Sequence, residues 1–258
     1  TLSFMPSKFV KRNTVSCSIQ GLKVKNHMYA SVNFEDFCNK LFDEASIPTH
    51  SNKPSVVNTR SNKSFSPLAG TPITSKRLFD KIDSLLTKDM SVVADIGDSL
   101  FGAADLTMHH KNAFLGSAFY TSMGTSIPGA LGAGFARPDS RTIVIVGDGA
   151  FQMSCTELST IVANKLNPII FILNNHGYTT ERFLLDGDFN DIPDWNYHKF
   201  VDIIGGGKGA MVETESELES VVDEALNAKE MFLINVSLDS YDVSNALERM
   251  TSGLAKKV

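Results

Sequence analysis

Two stretches of this chain end in residues that could hold an ion. Residues 142–153 read TIVIVGDGAFQM, and residues 167–183 read NPIIFILNNHGYTTERF. In each, a run of β-branched and apolar residues stops abruptly at glycine, aspartate or asparagine. Asp148 offers a carboxylate, Asn175 a neutral amide oxygen, and the turn at Gly177 a main-chain carbonyl. Three such oxygens on one point suit an octahedral Mg2+, which takes few carboxylates and keeps other positions for phosphate oxygens and water. Glycines at 147 and 149 permit a tight turn and let backbone N–H groups approach an anion closely. A carboxylate beside a phosphate would repel it unless a cation lay between them. The cation and the diphosphate are therefore expected together.

For the two endings to meet, both runs must be neighbouring strands pointing the same way. Residues 150–173 leave room for one crossover helix and one adjacent parallel strand. Ser154 and Glu157 have capping-box spacing for that helix, expected to run to about Leu166. Its Leu158, Ile161, Val162 and Leu166 stripe would pack on the sheet. The pattern repeats along the chain: SKRLFDKIDSLL, GTSIPGALGAGFA and SELESVVDEAL read as helices, SVVADIG and MFLINVSL as strands. Short apolar strands alternating with helices argue for a parallel sheet covered on both faces. Ligands of such sheets bind outside the carboxyl ends of the strands, where both polar endings would lie.

The amino-terminal part differs. Residues 14–32 alternate around Gly21 and Asn26, as short strands joined by turns. FEDFCNKLFDEA, residues 34–45, has its apolar residues at helical spacing. Residues 46–72 then carry Pro48, Pro54, Pro67 and Pro72 among serines and threonines, which is linker composition. The expected division is 1–47, a linker at 48–71, and a large domain at 72–258.

With 258 residues, 42% hydrophobic and 21% charged, the chain can bury a sizeable core. A net charge of −5 without a basic block argues against nucleic-acid binding. No apolar run has the length of a bilayer span. Cys17, Cys38 and Cys155 are sparse and odd in number, which suits a reducing compartment, so a cytoplasmic location is expected.

A G-D-G turn followed, after one βαβ unit, by N-N resembles the thiamine diphosphate signature. GDSLFGAADL, GDGAFQMSCTELSTIV, LNNHGYTTERF and FNDIPDWNYHKF also resemble segments of the pyruvate, indolepyruvate and branched-chain 2-oxoacid decarboxylases. The similarity covers residues 66–258, and residues 1–45 resemble more weakly the end of that family's central domain. The resemblance implies an α/β fold, a parallel sheet flanked by helices that binds thiamine diphosphate, preceded by a short remnant of a central α/β domain. It implies a carboxy-lyase that uses thiamine diphosphate and Mg2+ to convert a 2-oxo acid to an aldehyde and CO2.

Carried over position by position, the resemblance gives Asp148, Asn175 and the Gly177 carbonyl to Mg2+. Asp98, Ser99 and the Gly149 and Ala150 amides would line the diphosphate, with Ser99 or backbone groups making the contacts beside Asp98. Asn175, His176, Gly177, Tyr178, Thr179 and Thr180 form the remaining cofactor turn, His176 itself pointing outward. Thr121, Ser122 and Met123 match the segment that receives the cofactor's 4′-amino group and wedges beneath it, Met123 being the wedge. The family has glycine where Thr121 stands, so the Thr121 side chain would crowd the ring. Glu181 takes the place of the substrate-facing glutamate, and in a dry pocket it would stay protonated as a donor. Thr180 would face the substrate too. His109 and His110 read as surface loop and Trp195 as a packing anchor.

The family's amino-terminal pyrimidine-binding domain, with its activating glutamate, has no counterpart in residues 1–258. That domain is an expected partner, in a homo-oligomer (dimer or tetramer) when complete. Two other readings stand beside this one: a carboligase of the acetolactate synthase type, and a cofactor-binding subunit without turnover.

Overall fold

The computed structural model describes residues 14–18, 21–44 and 64–254. The chain divides into two compact units, Thr1–Asn58 and Thr59–Val258. In the first, β1 (Val15–Ser18), β2 (Gly21–Val24) and β3 (His27–Tyr29) form an antiparallel meander, with Val15 opposite Val24 and Leu22 opposite Tyr29. Helix α1 (Phe34–Glu44) follows. These are the strands and helix expected of residues 14–45. Of the expected linker, residues 48–63 lie outside the described residues. Residues 64–71 are held: the Arg77 guanidinium lies 4.4 Å from the Phe65 ring and donates to the Ser66 carbonyl. Glu215, which pairs with Arg77 at 2.7 Å, accepts from the Leu68 amide.

The second unit is built on six strands: β4 (Met90–Ala94), β5 (Phe114–Gly116), β6 (Arg141–Gly147), β7 (Ile169–Asn174), β8 (Lys208–Val212) and β9 (Phe232–Ser237). Their order is β5-β4-β6-β7-β9-β8, every pair parallel. Alternate residues of a strand face opposite sides. On one side Ile143 and Ile145 join Phe171 and Ile234 beneath α2 (Ser75–Leu85) and α9 (Glu215–Asn227). On the other, Val144 and Val146 join Ile170 and Ile172 beneath α4 (Ser126–Ala136), α8 (Phe200–Ile204) and the helices that follow β6. Burial on both faces is why β6, β7 and β9 read as nearly unbroken apolar runs.

The connection after β6 differs from the expected single helix. Helix α5 (Asp148–Ser154) starts at the aspartate itself, a 3₁₀ turn spans Cys155–Glu157, and α6 (Leu158–Ala163) resumes. Ser154 makes no side-chain cap, so the expected capping box with Glu157 is absent. The Gly124 backbone packs closely on Met153 and Ser154, and the Ser154 Oγ is buried there without a hydrogen-bond partner among the described residues. A capping box forms instead at Thr214 and Glu217, opening α9. Leu158 and Ile161 still pack on the sheet as expected, with Val162 and Leu166 partly buried beside them.

Candidate active site

β4, β6, β7 and β9 present their carboxyl ends on one edge of the sheet. There a cavity of about 180 Å³ opens between the Gly97 turn, the start of α5 and the 175–181 segment. Among its lining residues are Asp98, Ser99, Met123, Asp148, Gly149, Ala150, Asn175, Gly177, Tyr178, Thr179, Thr180 and Glu181. The structure thus brings twelve of the sequence-predicted residues around one space. Thr121, Ser122 and His176 are not among them and are exposed.

The cavity floor is the junction of β6 and β7. Gly147 ends β6 with an ordinary φ of −72°, so no glycine-dependent turn exists at that position. Gly149 matters for another reason: a Cβ there would run into the Tyr178 ring. Asp148 is 1% exposed, its Oδ1 accepting from the Gly149 amide at 2.7 Å and its Oδ2 from the Gly177 amide at 3.1 Å. Burial pushes its pKa up to about 6, against the opposing pull of the Gly149, Gly177 and His176 amides. In this structure the Gly149 amide therefore serves Asp148 rather than standing open to an anion. Gly177 has φ +150°, and a side chain there would overlap the Asn190 carbonyl.

Asn175 is 6% exposed, and its Oδ1 has no hydrogen-bond partner among the described residues. Buried amide oxygens are rarely left so. An orphan hard oxygen and a buried carboxylate lining the same cavity fit a Mg2+ ion, which would complete both. No cluster of three His, Cys, Asp or Glu occurs among the described residues, and a set with a single carboxylate does not need one.

Asp98 lines the cavity but differs from the expected role. It opens helix α3 (Asp98–Ala103), and both its oxygens are taken by Ser244: Oδ2 accepts from the amide at 2.8 Å, Oδ1 from the hydroxyl at 2.5 Å. Burial raises its pKa to about 6, while the Ser244 bonds pull the other way. Its carboxylate therefore holds the start of helix α10 (Asn245–Leu254), where Ser244 also accepts from the Leu247 amide.

Met123 is partly buried against the core that includes Ile127 and Phe151, and it reaches the cavity. Thr121 has φ +53°, and its hydroxyl donates to the Tyr120 carbonyl at 2.7 Å. The Ser122 carbonyl accepts from Thr125 Oγ1 at 3.2 Å. Glu181 sits in the one-turn helix α7 (Thr179–Arg182), at the cavity rim and exposed, so the dry surroundings expected for it are not supplied by this chain's described residues. His109 and His110 lie in a loop, and Trp195 stacks on Phe200 at 6.2 Å.

The sequence reading also missed Ile96, Gly97 and Leu173, which line the cavity, and a residue that braces it. Asp95, fully buried just after β4, accepts from the Gly124 amide at 3.1 Å and the Ser126 amide at 2.8 Å. It fixes the loop that carries Met123. Its signal was visible as a third carboxylate at a strand end, in VVADIGD.

Residues 95–236, more than half of the chain, match the family described as thiamine pyrophosphate enzyme, C-terminal TPP binding domain. An alpha-keto-acid decarboxylase of Mycobacterium bovis is 32% identical over 190 residues, 71% of this chain and 34% of that protein. Pyruvate decarboxylase 1 of Arabidopsis thaliana is 34% identical over 182 residues, 68% of this chain and 30% of that protein. The chain thus spans about a third of the length of these curated relatives. Among solved structures, a thiamine diphosphate-dependent 4-hydroxybenzoylformate decarboxylase of Rhodococcus jostii shares the fold, with a TM-score of 0.59 and 24% identity over 67% of this chain and 34% of that one. Parallel sheet, strand-edge cavity and family match agree: the chain belongs to the thiamine pyrophosphate enzymes and carries their C-terminal cofactor-binding domain.

Proposed function

We propose that this chain supplies the diphosphate- and Mg2+-binding half of an enzyme that decarboxylates a 2-oxo acid to an aldehyde and CO2. The observation that carries the reading is the pairing of buried Asp148 with the orphaned Asn175 Oδ1 at one cavity. Asp148, Asn175 and the Gly177 carbonyl would hold the ion, which screens Asp148 from the phosphates. Ser99 and the Ala150 backbone would face the diphosphate, and Met123 would support the cofactor from below. Bound there, thiamine diphosphate would supply the electron sink that a 2-oxo acid lacks, while the protein orients it. Glu181 at the rim would hold or donate a proton at the substrate.

Exposed apolar residues near the site in sequence also support a covering partner. Phe119 and Tyr120 are 95% and 81% exposed, and Leu184, Leu185 and Phe189 are each 65% exposed or more. Apolar surface of this kind marks an interaction site. The pyrimidine-binding domain of a partner subunit is the proposed occupant, and it would enclose Glu181. A cytoplasmic location rests on the three free cysteines; no described helix is long and apolar enough to cross a membrane.

The test is a product assay on the chain together with a pyrimidine-binding domain, using several 2-oxo acids. Aldehyde and CO2 are expected, and background release from the 258-residue chain alone. Acyloin as the main product would favour the carboligase reading, and cofactor binding without turnover the non-catalytic one. Vigorous decarboxylation by the isolated chain would overturn the proposed division of labour.

A further inference from the structure

Arg182 follows the proposed proton-handling glutamate in sequence, yet its side chain turns back beneath the ion-binding turn. The side chain is only 7% exposed, although its partners Asp186 and Asp191 are 45% and 60% exposed. Nη2 donates to the His176 carbonyl at 3.2 Å and to Asp191 Oδ1 at 2.6 Å; Nη1 reaches Asp186 Oδ1 at 3.5 Å. Backbone bonds run the same way: the Tyr178 amide donates to the Asn190 carbonyl at 2.9 Å, and Gly177 bridges Asp191. A third segment joins them. The Tyr241 hydroxyl donates to Asp186 Oδ2 at 2.6 Å, its ring lies 5.9 Å from the guanidinium, and Thr179 Oγ1 donates to the Ser240 carbonyl at 3.1 Å.

We infer that Arg182 is a positioning residue: its buried guanidinium locks the His176–Gly177 backbone against the 186–191 loop and thereby sets where Asn175 and Gly177 meet a cation. The inference rests on the function proposed above for that turn. Exposed ion pairs contribute little, but this guanidinium is buried and bonded to the backbone of the turn itself. Its planar fork serves a carbonyl and two carboxylates in different directions, which an ammonium cannot do at once. The guanidinium leaves no room for a side chain at 177, since a Cβ there would come within 2.7 Å of Nη2.

The test compares wild type with Arg182→Gln, Arg182→Lys and Asp191→Asn by two readouts. The first is hydrogen exchange in ligand-free protein. In Arg182→Gln the Gly177 and Tyr178 amides are expected to exchange at least ~10-fold faster while β6 and β7 amides keep their rates. The second is a calorimetric Mg2+ titration with excess thiamine diphosphate in the presence of a pyrimidine-binding partner. Half-saturation is expected to rise ~10- to 100-fold in Arg182→Gln, the range for residues that orient ligands, with Arg182→Lys and Asp191→Asn between it and wild type. Exchange and half-saturation both near wild type would overturn the inference. So would exchange that rises equally throughout the sheet, which marks general destabilisation. A wild-type protein that binds no Mg2+ fails the proposed function before any variant is made, and exchange at 177–178 then decides alone whether Arg182 holds the turn.

Discussion

Asp98 and Asp148 look alike in sequence, one in GDS and the other in GDG, each just past an apolar strand. They are also alike in setting. Both open short helices at the carboxyl edge, both are buried, and burial raises both to about 6. Their partners separate them. Both oxygens of Asp98 are taken by Ser244, from a segment 146 residues away. Asp148 accepts from the amides of its own turn and of Gly177, and it shares its cavity with an amide oxygen that has no partner among the described residues. Place on the sheet edge puts a carboxylate near a ligand, and the donors around it decide whether it binds or braces.

Glu181 sharpens the contrast because it is a third carboxyl at the same cavity, exposed where the other two are buried. Glu181→Gln, assayed with a pyrimidine-binding partner, is expected to slow turnover by roughly 10²–10⁴-fold while cofactor affinity holds. Near-normal turnover combined with lost cofactor binding would move Glu181 into the Asp148 class.

A smaller effect tests the bracing role of Asp98 through pH. Its pKa rises from 3.8 in the unfolded chain to about 6 in the fold, so the folded protein keeps a proton that the unfolded chain has lost between those values. Stability tied to that proton is complete below about pH 4 and is lost as pH rises through about 6. Asparagine stays neutral throughout. The stability of Asp98→Asn relative to wild type should therefore increase from about pH 4 to pH 7 and then level, by at most ~3 kcal/mol. A difference that stays flat across this range would show that Asp98 is not held as a buried acid.

Ser244→Ala approaches the same brace from the other side. It leaves one Asp98 oxygen without its hydroxyl donor, at an expected cost of ~1–3 kcal/mol in thermal or denaturant unfolding. Amides of α10 should exchange faster than those of β6. Equal change in both would make the Ser244 contact incidental to the helix.

The central strands could be read from residue types because β6, β7 and β9 are covered on both faces and spell nearly continuous apolar runs. The edge strands could not. β5 has three residues, and β8 follows a run of three glycines with only Val212 buried. Helix α10 was missed because its anchor is Ser244 on Asp98, a contact no local pattern encodes. The site divides the same way. Asp148, Asn175 and Gly177 stand at strand ends, where chemistry and position coincide. Asp95 acts on Gly124 and Ser126, about thirty residues away, and Asp98 on Ser244. Arg182 reaches Tyr241 through Asp186. Their roles exist only once the chain has folded.

The two aspartates can be set against each other in a calorimetric titration of Mg2+ with thiamine diphosphate, on wild type, Asp148→Asn and Asp98→Asn in the presence of a pyrimidine-binding partner. Asp148→Asn removes the carboxylate proposed for the ion, and joint affinity is expected to fall at least ~100-fold, the upper end of what orienting residues cost. Asp98→Asn should bind within a few-fold of wild type, because its carboxylate faces Ser244. Unchanged affinity in Asp148→Asn, or a collapse in Asp98→Asn with α10 still in place, would contradict the assignment of the ion to the β6–β7 junction.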